Sequence, residues 1–437
     1  MLKNNIYIVF FLLTGILYAQ VNTSSPYSFY GIGNINQTGF SQNIFMSGIS
    51  NAINDSHHLN FQNPASYSFL NLTSVELAFQ LSQYNMQQGD LQKSDLLSNI
   101  IGLGIGFPLS KNASISLGFR PFSSIGYDVE YSDFQTQSNT DINLGEMTYN
   151  FTGNGGLNKV TLGTAYKFNI KEGFVISTGI NLNYYVGTIS RINSIEIDSV
   201  GFYNYRENTS NLIRDFQINY GIIIDKEISD KNLSLGLVFS PQSKLKSIEN
   251  LYSHTYTLSG QYEYFGDTIK DVKEQEGYLQ LPIHLGSGIN ISKKDNWMVG
   301  FDYNYTNWSN YSLFNLNSDY IEDLNEFILG GYFIPKIDDI HNYWNRVQYR
   351  IGISYASGYL NLDSFDSSQG SNLGLLKDYK ISIGLGMPIP KNKSQLNFGF
   401  QFGKRGANES ILINEKYINF IFSMTFNDKW FKKRKIQ

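Results

Sequence analysis

The chain carries few residues able to do chemistry, and their positions are informative. It has five histidines, His57, His58, His254, His284 and His341, and no cysteine. Without thiols, disulfides and thiolate metal sites are excluded. His57 and His58 could offer two metal ligands, but no third ligand is spaced to complete a site. His254 and His341 fall in segments that read as connections. A lipase built on a barrel needs a serine and a base on neighbouring lipid-facing positions, and alternation turns His284 to the opposite face. The glycines of Ile101 to Phe107 and of Gly153-Asn154-Gly155-Gly156 lack the Lys-Ser/Thr and the following helix of a phosphate loop. No enzymatic activity, metal or cofactor is expected. The net charge of -4 argues against a nucleic-acid partner.

The elements that would position side chains are strands. Val347, Tyr349, Ile351, Ile353 and Tyr355 alternate with Gln348, Arg350, Gly352, Ser354 and Ala356. Successive side chains of a strand point to opposite faces, so this segment has one apolar face and one polar or small one. The same rhythm runs from about residue 72 to the end. Aromatic residues make up 15 % of the chain and charged residues only 16 %, an unusual balance for a soluble enzyme. Mean hydropathy is -0.25, and Gly and Asn interrupt every apolar run, which argues against helical membrane spans. A transmembrane antiparallel β-barrel with lipid on its outside fits this pattern.

The connections predict its size. Six are short: Pro108 to Asn112, Asn169 to Gly173, Asp225 to Asn232, Ser292 to Asn296, Pro335 to Asn345 and Pro390 to Ser394. Long polar segments at about 83–97, 132–157, 190–213, 241–277, 309–325, 363–376 and 404–412 alternate with them and read as loops. Thirteen connections give fourteen strands, with tight turns at one end and long loops at the other, as in outer-membrane barrels. The expected division is a signal peptide over 1–19, cleaved after Ala19, an inner hatch over 20–70, the barrel over 71–431, and a basic periplasmic tail over 432–437. The inward positions, rich in Gly, Asn and Ser, predict a small, polar lumen with few charges, in which the glycines leave room for a plug or a ligand. Residues 20–70 are too apolar for a disordered leader and are expected to fold into that lumen.

Two local signals stand out. In the third strand, Ala113 to Tyr131, the alternation of Ile115, Leu117 and Phe119 is interrupted at Arg120-Pro121-Phe122-Ser123-Ser124-Ile125-Gly126. Proline cannot donate a ladder hydrogen bond, so Arg120, Pro121, Ser123, Ser124 and Gly126 mark an expected kink where the wall could open. The other signal is Asn63-Pro64-Ala65, expected as a fixed turn lying against the wall near the third strand.

With these residues in view, the chain resembles the FadL/TodX outer-membrane transporters. The run Met46 to Ala52, Asp55 and then Asn63-Pro64-Ala65 is similar to that family's hatch. Leu281-Pro282 with Gly286 and Gly288, Asp302-Tyr303-Asn304-Tyr305-Thr306-Asn307-Trp308-Ser309, and Trp344-Asn345-Arg346 before Arg350-Ile351-Gly352 resemble three later family stretches in the same order. The resemblance implies a fourteen-strand barrel with an N-terminal hatch. It further implies passive uptake of small hydrophobic compounds of the long-chain fatty acid or aromatic hydrocarbon type, with sideways release through a kinked third strand. His57-His58 departs from the family pattern, and the loops lack the apolar helical segments that capture fatty acids. The style of both termini looks like that of Bacteroidetes outer-membrane proteins.

The expected location is therefore a Gram-negative outer membrane. The expected partners are a hydrophobic small molecule or lipid, the surrounding outer-membrane lipid and lipopolysaccharide, and possible contact with a secretion-complex protein. The alternative function is a non-transporting barrel that docks such a protein through Tyr- and Asn-rich loops.

Overall fold

The computed structural model describes residues 23–430, apart from 38, 137–142, 200, 261, 318–319, 363–373, 391–392 and 407–411. The expected leader over 1–19 and the basic tail over 432–437 lie outside the described residues, as does most of the 363–376 connection.

Among the described residues, fourteen antiparallel strands close into one barrel. They run Thr73–Gln88, Leu91–Pro108, Ala113–Thr136, Asn143–Lys171, Phe174–Ile197 and Asn204–Ile228. A seventh is broken at Pro241 into Lys231–Ser240 and Ser243–Ser259, and an eighth is broken at Pro282 into Tyr262–Leu281 and His284–Lys293. The rest are Trp297–Thr306, Leu324–Phe333, Gln348–Ala356, Lys377–Pro388, Gln395–Gly406 and Asn414–Asp428. The last strand pairs with the first from Asn414 opposite Gln87 to Asp428 opposite Thr73, so the sheet has no free end. Alternation sets the faces as expected: Tyr349, Ile351 and Ile353 are exposed, while Gln348, Arg350, Gly352 and Ser354 are buried.

The loop end differs from expectation. The segments 83–97, 132–157, 190–213 and 241–277 are largely strand. The first and second strands, for instance, pair as far as Gln88 opposite Leu91. The fourth strand has 29 residues and the sixth 25, whereas about 9–11 tilted residues cross a bilayer. The surplus stands beyond the membrane as tall ribbons. There polar residues interrupt the outward apolar alternation, while inward residues such as Ile213, Leu245 and Tyr256 stay buried and Thr, Tyr and Ile still favour extended backbone.

Residues 23–70 fill the barrel. They form short 3-10 helices at Pro26–Phe29 and Pro64–Phe69, a single helical turn at Ser41–Ile44, and a two-residue strand at Asn34–Ile35. Phe40, Leu59, Phe61, Tyr67 and Leu70 make one buried cluster with Ala78 and Ala165 of the wall. Met46, Ile49 and Ile53 pack on Met298 and Ile328. Each of these larger side chains contributes about 1.5–3 kcal/mol when fully buried.

The wall glycines are seats for this segment. A Cβ on Gly104 would lie 2.7 Å from the Phe61 ring, one on Gly384 would lie 2.2 Å from Phe45, and one on Gly236 would lie 1.8 Å from the Asn51 carbonyl oxygen. The lumen also holds more charge than expected. Arg350 Nη1 donates to Asn397 Oδ1 at 2.6 Å, Glu76 Oε1 accepts from Leu59 N–H at 2.6 Å, and Arg405 Nε donates to Glu415 Oε2 at 2.8 Å. These ions are scattered over separate strands, one per alternating run, so no single segment of sequence looks charged.

Candidate functional site

The third strand changes partners at its middle. Its ladder with the second strand runs from Pro108 opposite Ser114 to Leu103 opposite Phe119 and stops there. From Gly102 outward the second strand continues paired with the first. Pro121 has no N–H to give, and the pairing of the third strand with the fourth skips a residue between Pro121 and Ser123. This is a bulge, which bends its strand and re-aims side chains.

The inner segment takes the place of the missing neighbour. Asn34 pairs with Ser124 and Ile35 with Ser123. Asn36 N–H donates to the Phe122 carbonyl at 2.9 Å, Asn36 Nδ2 donates to Ser124 Oγ at 3.0 Å, and Gly126 N–H donates to Ser28 Oγ at 3.2 Å. Unpaired backbone at membrane depth costs several kcal/mol per group, and these contacts satisfy it. Pro121, Ser123, Ser124 and Gly126 are thus brought together at one place in the wall.

The fourth strand supplies residues that sequence reading missed. Gly155 and Gly156 have φ of 107° and 132°, a region open to glycine rather than to side-chain-bearing residues. A Cβ on Gly156 would stand 2.3 Å from the Ser123 carbonyl oxygen. The signal was present in Gly153-Asn154-Gly155-Gly156, since paired glycines within a strand pattern mark a bulge or a close backbone approach.

Inside this wall lies a cavity of about 280 Å³. Arg120, Phe122, Lys159, Tyr185, His284 and Trp308 line one part of it, and Gly48, Asn51, Phe61 and Gln62 of the inner segment also border it. An apolar cluster that includes Tyr27, Ile32, Ile125, Trp308, Tyr311, Leu360 and Leu376 spans the lumen towards the loop end. The cavity is therefore enclosed by apolar groups on one side and by the inner segment on another.

Asn63 fixes the start of its 3-10 helix: its Oδ1 accepts from Ala65 N–H at 3.0 Å. Its Nδ2 donates to the Asn51 carbonyl at 2.6 Å and to the Ile222 carbonyl at 3.2 Å. The turn therefore meets the sixth strand rather than the third. Gly179 and Gly221 make room, since Cβ atoms there would meet Pro64 and Asn63 at 2.4 and 2.0 Å. Asp302, within the expected Asp-to-Trp-Ser stretch, accepts the Ser50 and Asn51 N–H groups at 2.7 and 2.8 Å. His58 sits between Asp55 Oδ2 at 3.0 Å and Gln395 Oε1 at 2.8 Å. Burial opposes charge on its ring, but the neighbouring Asp55 carboxylate outweighs it and raises the His58 pKa.

The closed fourteen-strand barrel shares its fold with FadL-type outer-membrane channels of known structure. The fold matches a TodX monoaromatic hydrocarbon channel deletion variant (TM-score 0.58, 16 % identity, covering 90 % of this chain and 99 % of that one). It also matches a Pseudomonas aeruginosa FadL homologue (TM-score 0.55, 11 % identity, 90 % and 98 % covered) and the P. putida toluene transporter TodX (TM-score 0.53, 13 % identity, 90 % and 99 % covered). No curated protein matches the chain in sequence. The BamG family matches residues 1–437, and the chain belongs to that family.

Proposed function

We propose that this barrel is an outer-membrane channel for passive entry of a small hydrophobic compound, which leaves sideways through the wall at the Arg120–Gly126 kink. The observation that carries the reading is the early end of the ladder between the second and third strands, beside an enclosed cavity. Only two paired residues of the inner segment and a few hydrogen bonds bridge that interruption. Such a seam opens at less cost than a continuous ladder, because fewer backbone bonds must break. In this reading residues 23–70 act as the hatch, and the apolar cluster at the loop end receives the solute. The fold likeness to hydrocarbon channels supports the reading. The test is uptake of a neutral aromatic hydrocarbon by proteoliposomes holding the intact barrel and its Gly126→Trp variant. Uptake should fall at least tenfold in the variant, and unchanged uptake by a correctly folded variant would sink sideways release.

A second reading has its own support. The ribbon made by Ser243–Ser259 and Tyr262–Leu281 exposes Leu258, Tyr262, Tyr264, Phe265 and Ile269. Apolar and aromatic side chains gathered on a projecting surface suit protein contact, so the barrel would dock a partner in an outer-membrane assembly or secretion complex. Shortening this ribbon separates the two readings. Loss of the partner with uptake retained favours docking, and the converse favours transport.

A further inference from the structure

The outer face of the barrel carries a row of side chains that runs across neighbouring strands. Phe327, Tyr355, Tyr379, Lys404, Lys416 and Asn85 stand opposite one another in turn, on the tenth to fourteenth strands and the first. The three rings meet in sequence, with centres 6.4 and 5.1 Å apart. They then give way to two exposed lysines set directly opposite each other. Like charges in that register repel. Their neighbours in the row, Tyr379 and Asn85, bring hydrogen-bonding groups rather than charge.

The two lysines top the lipid-facing band. Towards the tight-turn end, the next outward residues on their strands are Phe402 and Phe400, and Ile418 and Phe420, all exposed and apolar. Towards the other end, the thirteenth strand stops at Gly406 and the fourteenth starts at Asn414. Tyrosine at the edge of an apolar band marks the membrane–water interface, so both ammonium groups lie at headgroup level on the ribbon side. A groove of about 820 Å³ follows this face, lined by all the residues of the row and by Ile353, Ile381 and Phe402 beneath it. With neighbouring strands about 4.8 Å apart, the row spans about 24 Å, room for several acyl chains side by side.

We propose that this face binds a phosphorylated, multi-acyl glycolipid of the outer leaflet. A phosphate sits between Lys404 and Lys416, and the acyl chains lie in the groove over Ile353, Ile381 and Phe402. Charge complementarity favours this occupant. An anion between the two ammonium groups replaces their repulsion by two attractions, and lysine offers phosphate a compact point charge. The breadth of the groove favours a lipid of many chains over a phospholipid of two. The site lies on the outer side of the wall, so it does not depend on the channel reading; it needs only that the ribbon end faces outward.

The test titrates delipidated full-length barrel in a neutral detergent with three probes: bis-phosphorylated hexa-acyl lipid A, the same lipid stripped of phosphate, and phosphatidylglycerol. Bound lipid is counted by native mass spectrometry. Lipid A should half-saturate the barrel at a tenfold or more lower concentration than either of the others. Lys404→Gln with Lys416→Gln should erase the difference between lipid A and its dephosphorylated form and leave the midpoint of the latter unchanged. Lys404→Arg with Lys416→Arg keeps the charge and should keep the difference, and Lys293→Gln with Lys294→Gln at the tight-turn end should change nothing. The heat-dependent gel shift of a closed barrel confirms that each variant folds. Equal midpoints with and without phosphate, a preference that survives the glutamine pair, or phosphatidylglycerol bound as tightly as lipid A overturns the proposal. In intact cells, Tyr379→p-benzoylphenylalanine should crosslink to lipopolysaccharide on irradiation. A crosslink to a protein in its place overturns the proposal and assigns the groove to a protein contact.

Discussion

Gly236 shows what the inner face of this barrel demands of one residue. With a Cβ there only 1.8 Å from the Asn51 carbonyl oxygen, backbone would have to move. Gly236→Val should therefore destabilise the protein by about 1–3 kcal/mol through overpacking, read as a lower urea midpoint of the detergent-solubilised barrel. Asp302 makes the complementary point. Asp302→Ala leaves the Ser50 and Asn51 N–H groups without an acceptor, at about 1–3 kcal/mol for each buried group. Amide exchange at residues 47–52 should accelerate while exchange in the wall strands does not. His58 adds a pH dependence. Its pKa is raised from 6.5 because Asp55, despite the opposing effect of burial, holds the charged ring. That contribution is complete below pH 6.5 and is lost as pH rises through the higher native value. In a His57→Gln background, amide protection at residues 55–60 should fall as pH increases across that window. Protection flat with pH would show that the pair does not hold the segment.

At the scale of elements, the kink was legible and its counterpart was not. Pro121 announces itself because it cannot join a ladder, and the break after Phe119 shows in the alternation. Gly155 and Gly156 were dismissed as a loop of the wrong kind, although their positive φ lets the fourth strand follow the bend. The Asn34–Ile35 strand left no signal at all, since two residues carry no period. Gly156→Val should strain a φ of 132° and drive a side chain into Ser123. Barrel assembly should drop severalfold, scored by the heat-dependent gel shift, whereas Gly126→Trp should assemble normally. The ribbons were misread for the opposite reason: beyond the membrane their outward faces lose the apolar period that reveals the wall strands, and polar composition then passes for loop. The scattered luminal ions escaped too, because an inward Arg120 or Asp302 looks like any other polar position in an alternating run.

At the scale of the whole molecule, turns of one kind gather at one end, and this has a direct readout. In intact cells, trypsin should leave Lys293 and Lys294 uncut, since they lie at the tight-turn end, and it should cleave only at the ribbon end. Cleavage at Lys293 or Lys294 in sealed cells would invert the orientation. Fourteen strands followed from counting connections, because short turns and longer polar segments alternate regardless of whether the latter are coil or ribbon.

The contacts of the inner segment also bear on how the molecule can be made. This segment precedes the barrel in the chain, yet Ser25 donates to Glu415, Tyr27 to the Ile413 carbonyl, and Asn51 meets Asp302. A part that emerges from synthesis before the barrel is therefore completed by its last strand. Closing such distant contacts is entropically slow, so the N-terminal residues wait unsatisfied until the final hairpin arrives, and they must already lie within the curl of the sheet when the last strand meets the first. These contacts predict an order of biogenesis in which the plug is enclosed rather than inserted. A chain supplied with residues 23–70 only after its barrel has sealed should never acquire them.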